Sequence, residues 1–106
     1  MSLAATERAD LPRLTDRLPL GPEGLRVSPF CLGLVRDPAL VPPAFHAGLN
    51  FFFLTADMHW PLSEGTRQGL AQPFAKGVRD RVIVAGVCYP TQPEFCTAPF
   101  DELVAA

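Results

Sequence analysis

Three short, nearly continuous apolar runs divide the chain, at residues 30–35, 49–54 and 81–87. Runs of this length, rich in Phe, Val, Ile and Leu, fit strands buried on both faces. The last of them, Arg81-Val82-Ile83-Val84-Ala85-Gly86-Val87, is also rich in β-branched residues, which favour a pleated backbone. Upstream, residues 13–28 carry the turn formers Gly21, Pro22, Glu23 and Gly24 between apolar flanks, and they predict a β-hairpin.

Helical signals fill the gaps. Asp37 can cap a short helix with Pro38 in its first turn, and Pro42-Pro43 makes a later start equally acceptable. Gly48 then stops it. Ser63 followed by Glu64 predicts a second helix over about 64–72, capped by Ser63 with Glu64 as a first-turn acid. Gly65 and Gly69 weaken that helix and Pro73 ends it. Residues 88–99 read as a proline-punctuated loop, and 100–106 as the start of another helix. The order is hairpin, β, α, β, α, β, loop, α. Such alternation implies a parallel sheet with crossover helices.

Composition narrows the classes. At 106 residues with 48% hydrophobic and 19% charged, the chain fits one compact domain or a piece of one. The net charge of -2 and a single lysine, Lys76, give no electrostatic reason to expect nucleic acid. No apolar run approaches the roughly 20 residues that span a bilayer. Residues 1–12 read as a flexible lead-in without a signal-peptide pattern, so the cytoplasm is the expected compartment. The odd set Cys31, Cys88 and Cys96 matches no zinc spacing and no disulfide framework. Cys31, inside the first apolar run, is expected to be a buried thiol. The twelve prolines gather at element boundaries, among them Pro61, Pro73, Pro90 and Pro93.

The second run leads directly into Thr55-Ala56-Asp57-Met58-His59-Trp60. A polar cluster at the carboxyl end of a strand is where β/α enzymes keep their chemistry. His59 titrates near neutral pH and can donate a proton, with Asp57 orienting it. The same two residues with Cys88 could instead hold a metal, a minor alternative, and no metal is expected. The bland alternative makes His59 and Trp60 packing residues over the strand ends. His46 reads as a helix-surface residue, and the three consecutive phenylalanines 51–53 as core.

Several segments, in order, resemble the aldo/keto reductases. Residues 24–33, Gly-Leu-Arg-Val-Ser-Pro-Phe-Cys-Leu-Gly, are similar to the family's opening, where a hairpin plugs the barrel floor and a Gly-Leu-x-Val-Ser segment enters the first strand. Residues 47–52, Ala-Gly-Leu-Asn-Phe-Phe, resemble its Ala-Gly-Ile-Asn-Phe-Phe, and Thr55-Ala56-Asp57 its Thr-Ala-Asp, with one extra residue near Phe53. Ser63-Glu64, Gly69-Leu70 and residues 77–85 are similar to its next helix and the approach to its third strand.

The resemblance implies a TIM (β/α)8 barrel that reduces carbonyls with NADPH through an Asp, a Tyr, a Lys and a His. Carried over, the Asp position is Leu54, the Tyr position His59 and the Lys position Gly86; the His would lie beyond Ala106. The expectation is therefore α/β: an N-terminal hairpin over 13–28 plus the first three β/α units over 29–106, with reductase activity altered or lost. Trp60 stands where the family keeps a glycine near the nicotinamide. A whole barrel needs roughly 250 residues. The chain is thus expected to be a piece of a longer protein, or to have its open sheet covered by the rest of a barrel or another protein chain. A small α/β domain with rearranged ends is the third possibility. The rival function is a non-catalytic binding module working through the exposed sheet and the cysteine-containing loop 88–100.

Overall fold

The computed structural model describes residues 11–56, 60–72, 77–88 and 101–105. Strands β1 (Leu18–Leu20) and β2 (Leu25–Val27) form the expected antiparallel hairpin, with Leu18 opposite Val27 and Leu20 opposite Leu25. Its turn takes positive φ at Gly21 and Gly24, where a side chain would be strained. Arg26 donates from Nη2 to the Arg17 carbonyl at 2.7 Å and braces the outer strand.

Both readings of the first helix hold in succession. Asp37 caps a 3-10 turn, Pro38–Leu40, by accepting from Ala39 N at 2.9 Å. Helix α1 (Val41–Ala47) follows, with Pro42 in its first turn, where a missing N–H costs nothing. Gly48 ends it at φ 125°, donating back to the Ala44 and Phe45 carbonyls.

Strand β3 (Phe51–Thr55) and strand β4 (Ile83–Val87) pair in parallel, Phe51 with Ile83 through Thr55 with Val87. Helix α2 (Trp60–Leu70) connects them, followed by a 3-10 turn, Arg79–Arg81. Residues 101–105 are helical. The molecule is thus an α/β domain with two small sheets. Val41, Phe52 and Val82 form its core, with Leu32, Val35, Phe45, Leu70 and Val78 packed against them. The alternation of Phe52 and Leu54 against Phe51 and Phe53 follows the pleat: the first pair is buried, the second half-buried.

Two expectations need correction. The run at 30–35 is not a strand buried on both faces. It touches β3 at one parallel bridge, Leu32 to Phe52, through Leu32 N to Phe51 O at 2.9 Å and Phe53 N to Leu32 O at 3.0 Å. Beyond Leu32 the backbone turns to α2: the Thr66 hydroxyl donates to the Gly33 carbonyl at 3.0 Å and accepts from Val35 N at 3.1 Å. Phe30 is 65% exposed, and Leu34 and Cys31 are exposed too. Cys31 is therefore a surface thiol, because the run meets a strand at Leu32 only.

The second correction concerns α2, which starts at Trp60 instead of Glu64 and ends at Leu70. Ser63 is an interior helix residue, buried, with its hydroxyl donating to the Trp60 carbonyl at 3.1 Å. Glu64 consequently sits past the first turn. Pro61 explains the earlier start, since its fixed φ suits an opening helical turn. The two glycines do more than weaken the helix. A methyl at Gly65 would collide with the Val35 and Arg36 carbonyls, and one at Gly69 with the Val41 side chain. Ser63, Gly65, Thr66 and Gly69 make a buried face of small residues that lets α2 press directly on the backbone of 33–41.

Candidate functional site

The carboxyl ends of β3 and β4 lie side by side. Ala56 N donates to Val87 O at 2.8 Å and extends the ladder one residue past Thr55. Thr55 Oγ1 and Ser63 Oγ are 3.2 Å apart, both buried, so the first turn of α2 is pinned over the end of β3. Cys88 points back at this junction, its Sγ 4.0 Å from the Ala56 carbonyl oxygen. Like Cys31 it carries a thiol; Cys96 lies outside the described residues.

Asp57, Met58 and His59 also lie outside the described residues. Their flanks are placed: Ala56 is buried at the strand end, and Trp60 opens α2 with 57% of its surface exposed. Trp60 therefore presents much of its surface to solvent at a helix start. Among the described residues no three His, Cys, Asp or Glu side chains converge as metal ligands.

Leu54 and Gly86 are direct register partners. Leu54 is buried, and both line a cleft together with Arg67 and Leu70 of α2 and Ala71 just after it. They therefore occupy the helix-facing side of the sheet. Phe53 and Ala85, one residue earlier, occupy the other side. In a barrel the helix-facing side is the outer one and the opposite side lines the interior.

The cleft holds about 210 Å³. Its floor is Leu54, Val82, Val84 and Gly86, and Leu103 and Val104 close one side. Arg67 and Arg79 bring guanidinium groups to it. Arg67 donates to Glu64 through Nε at 2.9 Å and through Nη2, a two-pronged ion pair, and Gln68 adds a third bond to the same carboxylate at 2.9 Å. The Arg67 hydrogen bonds, then that of Gln68, hold the Glu64 carboxyl down to about 2, and Arg67 is pushed up in return. Arg79 donates from Nη1 to the Val82 carbonyl at 3.2 Å. The sequence pointed to the strand end and missed this cleft. Its advance signal was the glycine at 86 inside a strand rich in β-branched residues, a mark of a bulge or close approach.

His46 sits on the exposed side of α1, its ring edge-on to Phe45 at 5.6 Å. Arg81 stacks over the same Phe45 at 5.2 Å, so this corner is an aromatic-cation packing contact. Among the described residues no helix is long and apolar enough to cross a membrane. No protein-family model matches the chain, and no curated protein or solved structure matches it either.

Proposed function

We propose that the chain is a divergent aldo/keto-reductase-like polypeptide, corresponding to the hairpin and first β/α units of such a barrel, whose proton relay for carbonyl reduction is gone. One observation carries this reading. At the carboxyl ends of the paired strands, the neighbours Phe53 and Leu54 face Ala85 and Gly86, followed by Val87. None of the five can ionise. A shift of one residue in the family correspondence, on either strand, still leaves the Asp and Lys positions without a charge. The hairpin, the parallel β-α-β pair and the Thr55-Ala56-Asp57 segment support the kinship.

His59 with Asp57 is the proton donor set that the sequence offers after β3. NADPH titration followed by fluorescence, together with NADPH consumption in the presence of 4-nitrobenzaldehyde, tests the reading. The expected outcome is no turnover. Turnover that falls on H59F and on D57N would overturn it and make His59 the donor.

Exposed apolar side chains favour a second reading, a non-catalytic binding module. Phe30, Trp60 and Leu62 are each more than half exposed. Size-exclusion chromatography of the 106-residue chain separates the two readings: self-association or co-elution with a partner supports the module, and a stable monomer at high concentration counts against it.

A further inference from the structure

The cleft between α2 and the sheet is apolar along its floor and cationic at its rim, and it is independent of any kinship with a reductase. Leu54 and Gly86 come from the two paired strands, Leu70 from α2, and Leu103 from the helical residues 101–105. The guanidinium of Arg67 is neutralised by Glu64, which takes two of its N–H groups. Arg79 is different. It uses one N–H on the Val82 carbonyl, and the ion pair found among the described residues is that of Arg67 with Glu64. Among the described residues Arg79 has no carboxylate partner, and it lines the cleft beside a hydrocarbon floor.

Gly86 adds no side chain to the floor. It is not among the glycines with positive φ, so its strand backbone suits any residue, and a side chain there would project beside Leu54. The volume of about 210 Å³ is below the ~300–1,000 Å³ of drug-sized pockets. A cleft of this size suits a single slender chain better than a bulky ligand. We propose that this cleft binds a medium-chain aliphatic carboxylate, its carboxylate on Arg79 and its chain along Leu54, Gly86 and Leu103. Apolar burial supplies the attraction for the tail, and the guanidinium's planar fork matches the head.

The test is a ¹H–¹⁵N NMR titration of the full chain with octanoate, octanol and acetate. Octanoate is expected to shift the Leu54, Gly86 and Leu103 amides saturably. Octanol, with the tail alone, binds more weakly, and acetate, with the head alone, does not saturate. R79Q weakens octanoate about tenfold and leaves octanol unchanged. G86V, which fills the floor, removes both. Because G86V alters a strand interior, R79Q on the exposed 3-10 turn is the deciding variant if G86V unfolds. Shifts elsewhere, acetate or octanol binding as tightly as octanoate, or octanoate binding indifferent to R79Q would each overturn the proposal.

Discussion

Residues 30–35 and strand β3 look alike in sequence, yet they end in opposite states. β3 has neighbours on both edges, β4 along its full length and Leu32 on the other side, and its Phe52 is fully buried. Residues 30–35 have a strand neighbour at Leu32 only, and Phe30 stays mostly in water. The difference lies in where the backbone hydrogen bonds go. Every buried N–H and C=O needs a partner. For β3 the partner is another strand. For Gly33 and Val35 it is one threonine hydroxyl on a helix, which fixes the segment without extending the sheet.

The largest effect should come from breaking the buried member. F52A removes a fully buried ring from the centre of the core and is expected to cost about 3–5 kcal/mol, read from urea denaturation. F30A in the other run should stay within about 0.5 kcal/mol. Equal losses would mean that the two runs are packed alike.

A middle effect sharpens the contrast. T66V keeps the shape of Thr66 and removes the hydroxyl that serves both Gly33 and Val35. The expected cost is about 1–3 kcal/mol. Hydrogen exchange at the Val35 amide should speed up far more than at Phe53, whose donor goes to Leu32 instead. Uniform acceleration of both amides would show that residues 33–35 and β3 open as one unit.

The smallest effect is electrostatic. Glu64 has its carboxyl lowered from 4.5 to about 2 by Arg67 and Gln68. A depressed carboxylate stabilises the folded state above its unfolded value and loses that contribution as pH falls. Stability should therefore drop between about pH 4.5 and pH 2. Water screens a surface pair of this kind, so the drop is expected to stay below about 1 kcal/mol. E64Q should flatten that part of the pH profile in thermal melts, and an unchanged slope would remove Glu64 as its source.

Much of the scaffold was legible in advance, for identifiable reasons. The hairpin followed from its turn residues, the α1 stop from Gly48, and the parallel pair from two apolar runs separated by a helix. Residues 30–35 misled because an apolar run reports burial in general and cannot say which element will satisfy its backbone. The start of α2 misled because Ser63 looks like a cap, whereas Pro61 carried the true signal. The buried face of α2 was least legible of all. Serine, threonine and glycine do not register as core in a hydrophobic pattern, yet they let α2 sit so close to the backbone of 35–38 that a side chain at Gly65 or Gly69 would collide with it. Of the candidate site, Asp57 and His59 lie outside the described residues, and the helix side of Leu54 was not legible, because the three consecutive phenylalanines hide which face of the pleat meets a helix.

Asn50, buried just ahead of β3, joins the hairpin to the main sheet. Its Oδ1 accepts from Ser28 N at 2.6 Å, its Nδ2 donates to the Arg26 carbonyl at 3.0 Å, and its own carbonyl accepts from Ile83 N at 2.7 Å. One carboxamide thus reads donor and acceptor on one side, where the Asn50 N–H also donates to Ser28 Oγ, while its main-chain carbonyl serves the other. The leucines of the hairpin are substantially exposed and give it little hold of its own. The hairpin is accordingly keyed like a lock tumbler: its alignment on the sheet is set by the polarity of one amide, and an aspartate there would present an acceptor where the Arg26 carbonyl requires a donor.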